Sequence, residues 1–309
     1  MLKKEAKELI SFIESSKGFD NNAKLKLILF SAGVKPNTYV SLRISTKNLD
    51  EKYHFEQHLE KAGFLSQISR PKTYEEIEKI SKNKAIWNIK GTWYGYDLFS
   101  NRKNKRLFQK YFSLVKKQQH DKADLIAGKL YGYPRCCINR FIEEHDLKKL
   151  AKKYSYYAFY DKLHTLDKRF PFLSHTPCSL KCKDSIKINN DYRMIVKKSA
   201  SRFWKEYTRK QSFTTKLVVD YESDIFLDKI NENKSIWPKK DGHDYGIISL
   251  TKFKGHHYVF SNLSKKHYLR GTILLAKVTV QYDYAIIKIK KIVRLLNNFH
   301  HQRKLLGKK

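Results

Sequence analysis

Acidic residues and cysteine are both scarce in this chain, and each scarcity narrows what it can be. Its 309 residues hold 30 Asp and Glu against 64 Lys and Arg, a formal net charge of +34. Ion-pair networks of the heat-adapted kind raise Glu together with Lys, so they do not explain the excess, although a merely Lys-rich composition would. Self-repulsion of this size is relieved by a polyanion, and nucleic acid is the commonest one. No run of about 18 apolar residues occurs, which excludes a membrane-crossing helix. The stretch Met1 to Glu8 is charged and amphipathic with no signal-peptide core, so the cytoplasm is the expected compartment. Also missing are a phosphate-binding glycine loop, a dinucleotide fingerprint, a zinc-protease motif and repeats at solenoid spacing. With 41% hydrophobic and 14% aromatic residues, a core is affordable and global disorder is excluded.

The four cysteines do not scatter. Cys136 and Cys137 lie in Tyr131-Gly132-Tyr133-Pro134-Arg135-Cys136-Cys137, and Cys178 and Cys182 in His175-Thr176-Pro177-Cys178-Ser179-Leu180-Lys181-Cys182. Thiols confined to two strings act together, as metal ligands, as a redox dithiol or as buried structural thiols. A reducing cytoplasm disfavours structural disulfides. Each pair follows a proline and precedes a helical pattern, and a helix N-terminus lowers a thiol pKa. Cys178 and Cys182 share a face if helical. Adjacent Cys136 and Cys137 diverge by about 100° in a helix, so both reach one metal only if Cys136 lies in the preceding turn. Neither spacing is the Cys-x2-Cys knuckle that zinc prefers, whereas an iron–sulfur cluster tolerates looser spacing. His175, His145 and His164 are substitute ligands or ordinary hydrogen-bonded histidines.

Along the chain, residues 1–34 read as two helices, the second capped at Asn21-Asn22 and ending at Gly33. A third runs from about Leu49 to Ala62, and Phe64 to Ser69 is a short strand. Thr73-Tyr74-Glu75-Glu76 reads as a capping box opening another helix. From Ala85 to Phe99, aromatic and β-branched residues flank Lys90-Gly91-Thr92, the pattern of a hairpin or two successive strands. Trp93, Tyr94 and Tyr96 there are core residues or a platform for stacked bases. Residues 102–117 form a basic helix with Arg102, Lys103, Lys105, Arg106 and Lys110 and no carboxylate, either a solvated face or a phosphate-facing one. Asp121 to Leu130 is a short helix, and Pro134 starts the next, with Ile138, Phe141 and Ile142 inward. Tyr154 to Phe159 is an aromatic cluster. A long helix extends from Lys183 to near Arg209, packing on Ile188, Tyr192, Ile195, Ser199, Phe203 and Trp204.

After Phe213 the pattern is β-rich, with Gly271 to Val280 and Tyr284 to Lys290 as an antiparallel pair turning at Gln281-Tyr282-Asp283. The tail from Ile286 has no acid and carries Lys288, Lys290, Lys291, Arg294, Arg303 and Lys304. Asp220, Glu222 and Asp224 alternate along one strand, a solvated face or a magnesium or general-base site. The fold class is α+β: an N-terminal α+β domain over 1–118, a helical four-cysteine domain over 119–212 and a basic, small antiparallel β domain over 213–309.

The string Tyr-Gly-Tyr-Pro-x-Cys-Cys, followed some 40 residues later by His-x-Pro-Cys-Ser-x-x-Cys-x-x-Ser, resembles the hallmark of an uncharacterised, mainly archaeal, domain-of-unknown-function family. The likeness covers Tyr131 to Phe141 and His175 to Ser185, and extends to Gly95-Tyr96-Asp97-Leu98. It implies no activity. A weaker similarity is to the cysteine-rich domain of heterodisulfide reductases, with a Cys-Cys pair and a later pair around a non-cubane cluster. This chain lacks that domain's upstream cysteine and has Cys-x3-Cys.

Three expectations follow. The first is an RNA-directed protein, serving tRNA or rRNA maturation, whose four thiolates hold an iron–sulfur cluster or zinc. The second is a redox enzyme whose cluster or dithiol serves an acidic protein partner. The third is a zinc-stabilised scaffold.

Overall fold

A computed structural model describes residues 2–81, 84–143, 169–221, 225–226, 239–240, 248–253, 256–261, 269–281 and 284–290. His145, His164, the 154–159 cluster, Glu222, Asp224, Lys291, Arg294, Arg303 and Lys304 lie outside the described residues. The chain divides into two compact units, one of residues 1–76 and 88–208, the other of 77–87 and 209–309. Helices and an antiparallel sheet make it mixed α+β.

In the first unit, α1 (Lys4–Ser15) buries the stripe Ala6, Leu9, Ile10 and Ile13. Helix α2 (Asn21–Ser31) buries residues all round, Leu25, Leu27, Ile28, Leu29 and Phe30 among them, as a helix inside a core does. Its cap is not the expected Asn21-Asn22 but Asp20, whose carboxylate accepts from the Ala23 N–H at 2.8 Å. Strand β1 (Asn37–Ser45) has no counterpart in the sequence reading, although Val40, Leu42 and Ile44 alternate inward with Tyr39, Ser41 and Arg43. Helix α3 (Glu51–Lys61) and strand β2 (Leu65–Ile68) appear close to where the periodicity puts them.

Two expectations fail in the next stretch. Residues 73–76 open no helix; they lie in β3 (Lys72–Ser81), which pairs with β4 (Lys84–Phe99). A partner strand overrides a local capping pattern worth about 1 kcal/mol. Nor does the chain turn at Lys90-Gly91-Thr92: β4 runs unbroken through Gly91. A Cβ there would lie 2.0 Å from the Ile44 carbonyl oxygen, so the glycine marks a close backbone approach and not a turn. β4 is flanked by β1 and β2, both antiparallel to it, in the order β1-β4-β2. The helices cover one sheet face, where the Phe55 ring meets Phe19 and Tyr96 edge-on at 4.9 and 5.1 Å.

The basic helix α4 (Arg102–Lys116) is capped by Asn101 and buries Phe108 against Phe99 and Leu130, the last from α5 (His120–Leu130). Helix α6 (Arg135–Glu143) buries Cys137 and Ile138, but Phe141 is 53% exposed, against expectation: three residues beyond Ile138, it falls at the edge of a narrow apolar stripe. The expected long C-terminal helix is two, α7 (Lys183–Ser199) and α8 (Ser201–Thr208), because Ala200 leaves helical geometry at φ −141°, ψ 69°. The break lets the Phe203 N–H donate to Glu14 of α1 at 2.8 Å and brings Trp204 and Tyr207 onto Phe172. The inward face of α7 is Ser185, Asn189, Tyr192 and Val196, while Ile188 and Ile195 are half-buried.

In the second unit, β5 (Gln211–Tyr221), β10 (Leu269–Gln281) and β11 (Tyr284–Lys290) form an antiparallel sheet in the order β11-β10-β5. Gln281 pairs with Tyr284, and Tyr282-Asp283 of the expected turn lie outside the described residues. Two small antiparallel pairs join β6 (Ile225–Phe226) to β7 (Lys239–Lys240) and β8 (Ile248–Phe253) to β9 (His256–Ser261).

Candidate metal centre

The first cysteine pair is delivered by the joint between α5 and α6. Gly132 adopts φ +73°, in the left-handed region that ends helices, and the Tyr133 N–H returns to the Gly128 carbonyl at 2.8 Å. Pro134 then opens α6, its carbonyl accepting from the Cys137 and Ile138 N–H groups at 3.0 Å. Gly128 lets the helices close on each other, since a Cβ there would sit 2.4 Å from Ile138 Cγ1.

The second pair sits on the approach to α7. That approach is tied down by the Tyr207 hydroxyl, which donates to the Pro171 carbonyl at 2.6 Å, and by the Phe172 N–H, which donates to Asn189 Oδ1 at 3.1 Å. Cys182 is the N-cap of α7 and its N–H reaches the Ser179 carbonyl at 3.2 Å. Cys178 therefore lies in a loop, and the pair does not share a helix face as its spacing alone suggests.

The two limbs bring all four sulfurs within 4.8 Å of one another. Cys136 Sγ is 3.9 Å from Cys137 Sγ and 3.7 Å from Cys182 Sγ, and Cys137 to Cys182 is 3.8 Å. The divergence of adjacent cysteines is overcome without moving Cys136 out of the helix: α6 begins at Arg135. In the first turn side chains lean toward the N-terminus, so two sulfurs about 100° apart meet beyond the helix end. Cys137 and Cys182 are buried, Cys178 half-buried and Cys136 exposed; no disulfide links them. Four sulfurs in such a group could hold a metal ion.

Four thiols this close cannot all ionise unaided. Desolvation, with hydrogen bonds from neighbouring thiols, pushes Cys178 up to about 11 and Cys136 higher still. Burial also opposes the Cys182 thiolate, yet the Ser185 hydroxyl and N–H, with Cys178 and Cys136, bring it down to about 7. In a metal-free site at neutral pH, Cys178 and Cys136 thus keep their protons while Cys182 stands near its midpoint, and the held protons yield to a cation. Polar groups ring the sulfurs. The Cys178 N–H donates to Cys137 Sγ at 3.4 Å, and Ser185 Oγ lies 3.3 Å from the same sulfur. Cys136 Sγ donates to Asp184 Oδ2 at 3.7 Å.

His175 is not one of the four converging ligands. Its Nε2 stands 3.1 Å from Ser185 Oγ, its ring packs on Tyr133 at 4.9 Å, and burial, reinforced by Lys35, lowers its pKa to about 4. Lys35, only 2% exposed, donates to Ser174 Oγ beneath the Tyr133 ring, and burial brings its amine to about 7. The Tyr133 hydroxyl donates to the Ser174 carbonyl at 3.2 Å. Asp97 on β4 accepts from Tyr131, and burial raises its carboxyl to about 6. Of these neighbours, Lys35 carries no sequence signal, because nothing in a lone lysine after a helix announces burial. Ser185 closes the recognised motif, and a serine seven residues after a cysteine of a ligand pair is a signal for a sulfur-facing hydroxyl.

The proposed phosphate-binding residues are placed as follows. Arg102, Lys103, Arg106 and Lys110 are exposed along α4 and Lys105 is half-buried. Lys288 and Lys290 lie on β11. Of the aromatic run, Tyr96 is core and Trp93, 36% exposed, is stacked by the Arg43 guanidinium at 4.9 Å.

Residues 111–209 match the model of a family described as a protein of unknown function (DUF483). The matched stretch contains all four cysteines, His175 and Ser185. Neither a curated protein nor a solved structure matches the chain.

Proposed function

We propose that this is a metal-binding protein in which Cys136, Cys137, Cys178 and Cys182 hold one tetrahedral ion, zinc, that clamps α6 to the start of α7. The observation that carries this is the sulfur spacing. Zinc–sulfur bonds of about 2.3 Å in a tetrahedron place sulfurs about 3.8 Å apart. The separations of 3.7, 3.8 and 3.9 Å among Cys136, Cys137 and Cys182 fit that edge, and the Cys178 sulfur lies within 4.8 Å of the other three. In an iron–sulfur cluster the four cysteines are shared out over two or more irons, and sulfurs on different irons stand farther apart, so three mutually close sulfurs favour a single ion over the cluster that cysteine spacing suggests. With all four ligands from protein, the ion has no open position, the character of a structural site. Metal analysis of protein purified without oxygen tests this: one zinc per chain is expected, and iron with acid-labile sulfide would refute it.

The partner in this reading is RNA. Its support is the charge of +34 and the carboxylate-free helix α4, whose exposed Arg102, Lys103, Arg106 and Lys110 present a cationic side. Phosphate neutralisation releases counterions, so affinity for structured RNA should fall linearly on a logarithmic salt axis. Replacing those four residues with glutamine should flatten the slope by up to about four contacts. A parent affinity weaker than micromolar at 50 mM salt would remove RNA as the partner.

A further inference from the structure

The four sulfurs are not equivalent, and their surroundings differ in a way that reaches past the ligands. Cys137 is buried and faces two donors, the Cys178 N–H at 3.4 Å and Ser185 Oγ at 3.3 Å. Cys136 is exposed and faces a carboxylate, Asp184 Oδ2 at 3.7 Å. Behind Ser185 stands His175, with Nε2 at 3.1 Å, itself fixed by the Tyr133 ring at 4.9 Å. Tyr133 is in turn anchored through its hydroxyl on the Ser174 carbonyl at 3.2 Å. Ser185 is fully buried, so its hydroxyl has no water to choose instead.

The direction of each bond follows once the sulfur is a ligand. A metal-bound thiolate has no proton and can only accept, so the Ser185 hydroxyl, which in the metal-free site also stabilises Cys182, gives its single proton to Cys137 Sγ at 3.3 Å, while the Ser185 N–H stays with Cys182. The serine oxygen then has only lone pairs to offer His175, and Nε2 must carry the proton. The ring is thereby held as the neutral Nε2–H tautomer.

We propose that His175 and Ser185 are positioning residues for the metal centre: a histidine-to-serine relay that polarises the Cys137 sulfur and makes it the anchored ligand, leaving exposed Cys136 as the exchangeable one. The proposal rests on the single-ion reading above. A thiolate that accepts hydrogen bonds has its lone pairs lowered, so it transfers less charge to the metal and is protonated less readily. Outer-shell partners of this kind typically govern metal affinity by about 10–100-fold.

The test uses the full chain loaded with cobalt(II), whose sulfur-to-metal charge-transfer band reports the energy of the thiolate lone pairs. Metal release to a chelator is timed on the zinc form. Ser185→Ala and His175→Phe should each move the band to lower energy and speed release by about 10–100-fold. Phe keeps the ring against Tyr133, so its effect isolates the lost N–H. His175→Gln, which restores an amide N–H near Nε2, should return both readouts most of the way. Asp184→Asn, which removes the carboxylate beside Cys136, should slow release. If Ser185→Ala and His175→Phe keep the parent band and release rate, or if His175→Gln behaves like His175→Phe, the relay is wrong while the metal centre stands. A parent chain without the intense charge transfer of four thiolates would sink both.

Discussion

The Glu51 carboxylate shows how a single residue fixes the chain path. It is the first residue of α3, yet it accepts from Ser16 Oγ at 2.7 Å and from the Lys17 and Gly18 N–H groups at 2.8 Å, in the turn between α1 and α2. Burial works against its charge, but these donors outweigh that and hold its pKa below the usual carboxylate range. A depressed folded pKa means its contribution is complete above the unfolded value of about 4.3 and is lost as pH falls through the folded one. Glu51→Ala should cost about 1.5–3 kcal/mol at neutral pH by chemical denaturation, and that difference should shrink toward pH 3. A difference that is constant with pH would deny the carboxylate its role. At the cysteines the sign is opposite: Cys178 at about 11 and Cys136 above it are protonated in the metal-free site. Metal uptake must therefore release protons, and apparent affinity should climb as pH rises from 6 to 8, with calorimetry in buffers of different ionisation enthalpy counting the protons. The site was legible at this scale because four rare residues sat in two strings. Its second layer was only partly so: Tyr133 and Ser185 stand in the two strings, but their contacts, like the burial of Lys35, come from long-range packing.

Among elements, α1 to α6 and strand β2 lie close to where the pattern puts them, whereas β1 was missed, β3 reads as a helix in sequence and the expected last long helix is two. The Leu9, Ile10, Ile13 stripe of α1 and the Phe108 side of α4 announce themselves in sequence. Strand β1 went unassigned because the alternation of Val40, Leu42 and Ile44 is only three residues deep. β3 was misread since its capping-box pattern is local while its partner β4 is not. Gly91 illustrates the physical cause of the remaining error: glycine signals either a turn or a missing side chain, and only the neighbouring Ile44 carbonyl decides which. Gly91→Val should destabilise the chain by about 1–3 kcal/mol, as forced overpacking does, because the obstructing atom is backbone of the paired strand. Gly33→Ala lacks any such clash and acts only through its φ of +76°. Equal thermal stability of Gly91→Val and the parent would show that the strand bends away there.

For the whole molecule, two features set the behaviour: a cationic excess that composition alone revealed, and a cysteine centre that needed the fold to be read correctly. The clustering of thiols pointed to shared chemistry, and the fold brings the four sulfurs together; their linear spacing says less about the kind of centre, because loop and helix N-terminus deliver sulfurs independently of a knuckle pattern. An ion held as proposed would join segments 41 or more residues apart (Cys137 to Cys178), so its removal should lower the melting temperature of the first unit and loosen α6 from α7. Cys178→Ser should reproduce most of that loss in metal-replete protein. The most direct measurement is X-ray absorption at the metal edge, on protein purified without oxygen and with metal added to no step. One zinc per chain is the predicted result, with four sulfur neighbours at about 2.3 Å and no second metal nearby. Iron with a metal–metal shell, or a metal-free chain with four titratable thiols and unchanged stability, would contradict the account.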